Sequence, residues 1–394
     1  MWLFMAVACL IQQVTDSEGY LSKRHLNPQE FMTISEIIQY WEYPSEKHEI
    51  LTADGYYLEA DRIPYGIHSP RNTGPRPVVL LLHGLQLEGR CWIAGLPNNS
   101  LGFALADAGY DVWILNNRGT SWSRRHQTLS VDQEEFWDFS FHEMGIYDIP
   151  ATINYILQKT NQESLYLMGQ SQGASIGFIA LSVMPELAKK VKLLMCFAPV
   201  YTLVGNKGPS MIFLLLPDGF KKFIWGNKEF CFLSNKLKAL NANICSYPVI
   251  DKICLQLIFL SVGRNNNNLN VSRVDVYLGI FPDFTSTKTM IHWGQIARSK
   301  EFKYFDYGSK NKAVYNTTTP PFYKIEDMIV PTAVWNAGKD LMVEKVDIDR
   351  LLPRIPQLVF HKFIPDWQHS DFMWGLDAPK RLYPDVLHLM QKYK

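Results

Sequence analysis

The sequence predicts an α/β fold in which a central, mostly parallel sheet is interrupted by an inserted helical cap. Short runs of apolar residues alternate with segments of helix length, and this alternation is typical of βαβ units around a buried parallel sheet. The predicted strands span residues 56–63, 78–82, 112–115, 165–168, 193–197, 332–335 and 358–364. The predicted helices span residues 101–108, 144–159, 174–190 and 378–392. The pair Asp54-Gly55 also predicts a hairpin between the first strand and residues 49–52.

The cap is predicted from a break in this regular pattern between about residues 201 and 327. That stretch contains apolar runs at 211–216 and 253–260 and four consecutive asparagines at 265–268. A long interruption inside a regular α/β sequence is typical of a cap inserted over the carboxyl edge of the sheet. We therefore predict a signal peptide at 1–19, a core at 20–199, a cap at 200–329, and the rest of the core at 330–394.

The N-terminus predicts entry into the secretory route. Residues 2–11 are almost all apolar and polar residues follow them, and the run is too short to span a bilayer. Sequons at Asn98, Asn270 and Asn316 would be glycan acceptors on that route. The net charge of +1 without a basic stripe argues against a nucleic-acid partner. No cysteine or histidine spacing predicts a metal site.

The strongest local motif is Gly169-Gln170-Ser171-Gln172-Gly173, which lies between a predicted strand and a predicted helix. In this context the motif indicates a nucleophile elbow, a tight turn that projects the serine above the sheet. Gly169 and Gly173 give the turn room, because larger side chains would collide with adjacent elements. The amide of Gln172, at the start of the helix, can stabilise an oxyanion.

A nucleophilic serine requires a base and an acid, which follow it in the chain in this fold. His369 is the best base because it lies in a loop after the strand predicted at 358–364, whereas His361 lies within that strand and His388 on the last helix. Asp340 is the best acid, in a turn after the strand at 332–335. The alternative acids are Asp347 and Asp349, which we expect to be solvated, and Asp366 and Asp371, which stay open although they are close to the histidine in sequence.

The second oxyanion donor is expected in the loop after the strand at 78–82. His83-Gly84 turns the chain there, so that the amide of Leu85 can face a reacting carbonyl group. His83 precedes the serine and is expected to have a structural role.

Taken together, these and other motifs resemble the acid lipase family, which includes gastric and lysosomal acid lipases. The motifs are His83-Gly84-Leu85, Asn98-Asn99-Ser100-Leu101, Ala108-Gly109-Tyr110-Asp111-Val112-Trp113, Asn117-Arg118-Gly119, Glu135-Phe136-Trp137, Tyr147-Asp148-Ile149-Pro150-Ala151, Arg273-Val274-Asp275-Val276-Tyr277, Ile291-His292-Trp293 and Gly338-Lys339-Asp340-Leu341. The resemblance covers nearly the whole chain and implies the α/β-hydrolase fold. It also implies Ser171, Asp340 and His369 as a catalytic triad, Leu85 and Gln172 as oxyanion donors, and a lid within the cap.

The resemblance further implies a secreted serine lipase that hydrolyses triacylglycerol or related acyl esters at a lipid–water interface, without a cofactor. A lysosomal destination is the alternative location, and the oligomeric state is not predicted. The alternative functions are an esterase for small soluble esters and a catalytically weak secreted protein that binds lipid. The family's disulfide maps to Cys245–Cys254. Two departures stand out: Gln170 replaces the usual histidine, and Gln86 replaces part of a leucine-rich stretch.

Overall fold

A central sheet of nine strands organises the molecule. The computed structural model describes residues 27–68, 74–231, 244, 253–254, 263 and 268–394. The strands are β1 Glu46–Leu51, β2 Tyr56–Ile63, β3 Val78–Leu82, β4 Asp111–Leu115, β5 Arg125–His126, β6 Leu165–Gln170, β7 Val191–Phe197, β8 Glu229–Phe230, β9 Thr285–Ser286, β10 Thr332–Ala337 and β11 Leu358–Ile364. The strand order in the sheet is β1-β2-β4-β3-β6-β7-β10-β11, with β5 paired to β2, while β8 and β9 form a separate pair.

The order of the strands confirms the predicted α/β fold. From β4 to β11 all neighbours are parallel, whereas β1, β2 and β5 pair antiparallel at one side of the sheet. The predicted hairpin is confirmed by the pairing of β1 with β2. Between β7 and β10 the described residues add no strand to the central sheet, which fits a long insertion at that point.

Both faces of the sheet are buried, as the apolar strands predict. Along β3, Leu80 and Leu82 belong to one apolar core and Val79 and Leu81 to the other, because successive side chains of a strand point to opposite faces. Helices cover each core. Parallel sheets in α/β proteins are typically covered in this way. Apolar packing therefore stabilises the sheet on both of its faces.

The helices that cover the sheet and form the inserted region are short. They are α1 Ile34–Tyr40, α2 Leu101–Asp107, α3 Phe141–Glu143, α4 Ile149–Thr160, α5 Gln172–Val183, α6 Pro185–Ala188, α7 Ser210–Leu215, α8 Asp218–Trp225, α9 Val274–Ile280, α10 Thr287–Ser299, α11 Asn311–Tyr315, α12 Lys345–Leu351, α13 Asp371–Trp374, α14 Ala378–Arg381 and α15 Tyr383–Lys392. A π-helical turn, Met144–Asp148, joins α3 to α4. None of the described helices is both long and apolar enough to cross a membrane.

Two predicted helices are wrong in their extent. The segment 174–190 forms α5 and α6, and the segment 378–392 forms α14 and α15. Prolines explain both breaks: Pro185 is the first residue of α6, and Pro384 is the second residue of α15. A proline has no amide hydrogen to donate and fits the first turn of a helix better than its interior.

Several predictions fall outside the described residues. They include the signal peptide at 1–19, Cys245, and nearly all of the apolar run at 253–260. The division of the chain at residues 200 and 330 remains a prediction. In the described part of the inserted region, α10 packs against α7 and α8, and this group of helices lies next to the site described below.

Candidate active site

Ser171 lies in a sharp turn between β6 and α5. Its backbone has φ 55° and ψ −120°, a conformation that is unfavourable for a residue with a side chain and is found mostly at functional sites. The turn is held by its neighbours, since the Ser171 amide donates to the Phe197 carbonyl oxygen at 2.9 Å. The serine is therefore fixed at the carboxyl end of β6, at the start of a helix.

The two glycines of the motif make this turn possible through close backbone contacts. A Cβ atom at Gly169 would lie 2.5 Å from the Ala174 amide nitrogen, and one at Gly173 would collide with the carbonyl oxygen of Leu82. Both obstacles are backbone atoms, which cannot rotate away as a side chain could. The sequence argument that glycine provides room at these positions therefore agrees with the packing.

His369 and Asp340 form a buried hydrogen-bonded pair. Nδ1 of His369 lies 2.7 Å from Oδ2 of Asp340, and both residues are buried. The other carboxylate oxygen, Oδ1, accepts from the amides of Met342 at 2.8 Å and Val343 at 2.9 Å. These bonds fix the carboxylate, which in turn fixes the imidazole ring. With Nδ1 on the carboxylate, Nε2 is the nitrogen left for proton transfer.

The topology of the sheet explains why these residues meet. Ser171 follows β6, Asp340 follows β10 and His369 follows β11, and the carboxyl ends of parallel strands lie at one edge of a sheet. Ser171 and His369 line the same cavity. The hydrogen bonds of the described residues do not include one between the Ser171 hydroxyl and His369, and such catalytic bonds are often longer before substrate binds.

The loop after β3 lies against the nucleophile. A Cβ atom at Gly84 would lie 3.1 Å from Cβ of Ser171, so the loop can approach only because residue 84 is glycine. The amides of Leu85 and Gln172 donate to no acceptor among the described residues. Two such amides beside a serine are the arrangement that an oxyanion needs.

His83 has a structural role in this loop, as predicted. Its Nε2 accepts from the amide of Asn117 at 3.1 Å, and its Nδ1 lies 2.9 Å from the carbonyl oxygen of Gly84. Accepting at Nε2 requires the proton to be on Nδ1, which then donates to Gly84. Burial lowers the pKa of His83 to about 4, so the ring is neutral and both bonds persist at neutral pH.

The alternative acids and bases are engaged elsewhere. Asp366 binds Arg381 at the surface through two bonds of 2.7 Å, and Asp371 accepts from the Gln368 amide at 2.7 Å. His361 contacts Oδ1 of Asn336 at 2.8 Å. In the described part of the chain, only Asp340 among these carboxylates is hydrogen-bonded to His369.

The expectation that Asp347 is solvated is wrong. Its side chain is 1% exposed and accepts from the Thr202 hydroxyl and from the amides of Val204 and Gly205. These hydrogen bonds hold the loop that follows β7. The two segments are far apart in the sequence, so the sequence alone does not reveal this contact. Asp349, by contrast, is exposed as predicted.

The cavity beside Ser171 is mostly apolar and has a volume of about 180 Å³. Its apolar walls come from the loop after β3, the inserted region, the loop after β10 and the segment after β11. They include Leu85, Leu87, Phe213, Leu214, Phe281, Met290, Met342, Met373 and Trp374. No periodic pattern in the sequence marks these residues, because they converge from separate elements. An apolar cavity around a polar reactive group is typical of a site for an apolar ligand.

Comparison with known proteins identifies the family of this chain. Residues 77–376 match the family described as the α/β hydrolase fold, and residues 34–96 match the partial α/β-hydrolase lipase region. Lipase member M of Homo sapiens is 48% identical over all of this chain and 93% of its own length. Gastric triacylglycerol lipase of Homo sapiens is 44% identical over the full length of both chains. The chain belongs to the acid lipase family.

Two further similarities support the family and the fold. Lysosomal acid lipase/cholesteryl ester hydrolase of Homo sapiens is 48% identical over 98% of each chain. The structure of a soluble variant of monoglyceride lipase from Saccharomyces cerevisiae has a TM-score of 0.56 and 13% identity, covering 90% of this chain and 96% of that one, which shows the shared fold. The predictions of the acid lipase family, the α/β-hydrolase fold and a lipid ester hydrolase are confirmed.

One contact of this acid lipase links the inserted region to the residue after Ser171. Nε1 of Trp293, on α10, donates to Oε1 of Gln172 at 2.7 Å. The bond turns the Gln172 side chain toward the cap, while its backbone amide stays at the start of α5. In the sequence, Trp293 stands out only through its resemblance to a family motif.

The cysteines and sequons are tested only in part. Cys254 is in a disulfide, but Cys245 lies outside the described residues, so the pairing stays a prediction. Cys196 is a buried thiol on β7, and burial raises its pKa. The sequon residues Asn98 and Asn316 are exposed, whereas Asn270 is half-buried. Glycosylation at the three sites remains a prediction. In the described residues, no group of three His, Cys, Asp or Glu side chains could hold a metal ion.

Proposed function

We propose that Ser171, His369 and Asp340 form the catalytic triad of a lipid ester hydrolase. In the first half-reaction, the Ser171 hydroxyl oxygen attacks the ester carbonyl carbon while Nε2 of His369 takes its proton. The oxyanion accepts hydrogen bonds from the amides of Leu85 and Gln172. The carbon–oxygen bond to the alcohol then breaks, and His369 returns the proton to the departing alcohol.

In the second half-reaction, water attacks the acyl-enzyme. His369 takes a proton from the water, the tetrahedral intermediate forms again, and the fatty acid leaves as Ser171 regains its proton. The single observation that carries the proposal is the 2.7 Å bond between His369 and Asp340, in a cavity that His369 shares with Ser171. Asp340 stabilises the imidazolium formed in both halves of the reaction.

We propose long-chain acyl esters of glycerol, triacylglycerol first, as the substrates, met at a lipid–water interface. The apolar walls of the cavity support a long acyl chain. Large apolar side chains on α7 and α8 are exposed, with Phe223 at 85% and Ile212 at 68%. Phe213, on the same short helix as Ile212, lines the cavity. A surface of this kind is typical of lipid or protein contact, and here it adjoins the site.

We propose that the chain follows the secretory route and acts outside the cell, with the lysosome as the alternative destination. The apolar N-terminal run, the exposed sequons at Asn98 and Asn316, and relatives named gastric and lysosomal lipases support this location. Expression in mammalian cells with glycosidase treatment of medium and lysosomes would distinguish the two.

The substrate proposal is tested by comparing emulsified triolein with a short ester across the solubility limit of the ester. We expect triolein hydrolysis, and a rate on the short ester that rises sharply once droplets form. A rate that follows only the dissolved ester, without triolein hydrolysis, would indicate an esterase for small soluble esters. Lipid binding without hydrolysis of either ester would contradict the enzymatic proposal.

A further inference from the structure

The turn that carries the Leu85 amide has a strained backbone. The amide of Leu87 donates to the carbonyl oxygen of Gly84 at 3.2 Å, so Leu85 and Gln86 lie at the centre of a four-residue turn. Gln86 has φ 56°, a value that glycine or asparagine usually supplies at this position of a turn. For a residue with a longer side chain, this left-handed conformation is disfavoured roughly tenfold. The turn therefore needs support from outside itself.

Asp283, in the inserted region, supplies this support. Its amide donates to the carbonyl oxygen of Gln86 at 2.6 Å. A change of Gln86 to an ordinary negative φ would turn this carbonyl group in another direction and break the bond. Asp283 is 1% exposed and Gln86 is 7% exposed, so little water can replace the lost partner. The hydrogen bond and the strained conformation are therefore coupled.

The side chain of Asp283 is itself fixed to the core. Its two carboxylate oxygens accept from the amide of Ser121 at 2.9 Å and from the Ser121 hydroxyl at 2.5 Å. Ser121 lies between β4 and β5, and the next residue, Trp122, donates Nε1 to Oε2 of Glu88 at 2.9 Å. Residues 121–122 thus bind one carboxylate that contacts residue 86 and a second carboxylate two residues further along the same loop. Hydrogen bonds to carboxylates are among the stronger ones in proteins.

The two oxyanion donors differ in what holds them. Gln172 is the first residue of α5, and the close backbone contacts of Gly173 fix the start of that helix. Leu85 lies in a turn outside any helix or strand. A group that stabilises a transition state has to be held within about 0.5 Å of its productive position. The Leu85 amide therefore depends on whatever keeps the turn in shape.

We infer that Asp283 is a positioning residue of the oxyanion hole. It holds Gln86 in the left-handed conformation and thereby keeps the Leu85 amide directed at the oxyanion. The inference rests on the proposed ester hydrolysis at Ser171. It gives a part of the inserted region outside α7 and α8 a role in the chemical step, through the backbone of residue 86.

The test compares p-nitrophenyl butyrate with its thiono analogue, in which sulfur replaces the carbonyl oxygen. Negative charge develops on oxygen in the first ester and on sulfur in the second, and sulfur is a weak hydrogen-bond acceptor. The ratio of the two kcat/KM values, divided by the same ratio for alkaline hydrolysis, therefore measures the contribution of the oxyanion hole. A loss of folded enzyme lowers both rates equally and leaves this oxygen-to-sulfur ratio unchanged.

Three variants change the contact between Asp283 and Ser121. Asp283→Ala removes the carboxylate, and we expect the ratio to fall about tenfold, less than the loss of about 10²–10³-fold when an oxyanion donor is removed outright. Asp283→Asn should recover the ratio to within about twofold of the wild type, because its amide group can bind both Ser121 groups. Ser121→Ala removes one of the two bonds and should lower the ratio about threefold.

Asp275→Ala is the matched control. Asp275 is another buried aspartate of the inserted region, and its Oδ2 accepts from the Asn27 amide at 2.8 Å. It supports the segment before α1 and not the turn at residues 84–87. Its substitution should therefore lower the melting temperature but leave the ratio as in the wild type.

The outcomes separate the inference from the function on which it rests. A high wild-type ratio that stays unchanged in Asp283→Ala, or in Ser121→Ala where Asp283→Ala does not fold, would overturn the role of Asp283 and leave the ester hydrolase intact. A ratio that Asp283→Asn does not recover, or that falls equally in Asp275→Ala, would also overturn it. Hydrolysis of neither ester by the wild type, or a wild-type ratio equal to that of alkaline hydrolysis, would instead contradict the proposed function and its oxyanion hole.

Discussion

Two parts of the site differ in the burial of their side chains. The first is the floor, formed by Ser171, Asp340 and His369, and the second is the cap, the inserted helices α7 and α8 beside it. On the floor, Ser171, Asp340 and His369 are buried. The Ser171 amide binds the Phe197 carbonyl oxygen, and Asp340 binds His369 and the amides of Met342 and Val343. In the cap, α7 and α8 expose large apolar side chains, including Ile212 and Phe223. The proposed chemistry and the proposed contact with lipid therefore belong to separate parts of the molecule.

Polar contacts join the helices of the inserted region to one another. Lys221, on α8, is 2% exposed and donates to the Leu214 carbonyl oxygen at 2.7 Å. Arg298, on α10, binds Asp218 through bonds of 2.7 and 2.8 Å. The bond from Trp293 to Gln172 and the apolar packing of Met290 and Ile296 join α10 to the core. Substitutions in the floor should therefore abolish chemistry on every substrate, and those on the outer face of the cap should affect only substrates at an interface.

The largest expected effect is the loss of catalysis when residues of the floor are substituted. Ser171→Ala and Asp340→Asn should each lower kcat on a short soluble ester by about 10⁴-fold, because each removes an essential part of the triad. Asp347→Asn is the matched control, since Asp347 is another buried aspartate after β10 but accepts bonds from the loop at 202–205. It should lower the free energy of unfolding by about 2 kcal/mol and change kcat of the folded protein by less than about threefold.

Urea unfolding and steady-state kinetics on the same samples would measure both quantities. A catalytic loss in Asp347→Asn comparable to that in Asp340→Asn would mean that the acid is assigned to the wrong residue. Residual hydrolysis by Ser171→Ala well above the buffer rate would contradict the nucleophile.

The second expected effect is a fall in the free energy of unfolding as the pH rises. Asp61, on β2, is buried and accepts from the Ser35 hydroxyl at 2.7 Å, and burial raises its pKa to about 7. Its folded-state pKa exceeds the unfolded value of about 3.8, so its contribution to stability is present at acidic pH and lost as pH rises through about 7. Between pH 5 and pH 8 this group alone should lower the free energy of unfolding by about 2–3 kcal/mol.

Asp61→Asn keeps a neutral side chain at all pH values. Between pH 5 and pH 8 the wild type should therefore lose about 2–3 kcal/mol more of its free energy of unfolding than the variant does. Other titrating groups cancel in this difference. Parallel pH profiles for the two proteins would show that Asp61 is ionised in the folded state throughout.

The smallest expected effect is a lower rate on emulsified lipid when an exposed apolar residue of the cap is substituted. Phe223→Ser should lower the rate on emulsified triolein about fivefold, because less apolar surface is available to enter the interface. The rate on a dissolved short ester and the melting temperature should not change, since Phe223 is exposed. Phe31→Ser is the matched control, because Phe31 is 63% exposed but belongs to the segment before α1. Equal losses from both substitutions, or an equal loss on both substrates, would contradict a cap surface dedicated to lipid.

The sequence predicts the floor better than the cap for a physical reason. Ser171, Asp340 and His369 follow apolar strands whose order is recognisable, and parallel strands bring their carboxyl ends together. Prediction fails where a residue's environment depends on distant chain. Asp347 is buried by the loop after β7, which lies more than 140 residues away in the chain. The walls of the cavity come from separate elements and share no pattern.

Fluorophosphonate labelling of the wild-type protein, followed by peptide mass spectrometry, tests the central claim most directly. The account predicts one adduct, on the peptide that contains Ser171, formed rapidly in the wild type and at least about 10³-fold more slowly in Asp340→Asn. Addition of the label to another residue, or equal labelling rates in the two proteins, would contradict a nucleophile at Ser171 activated through His369 and Asp340.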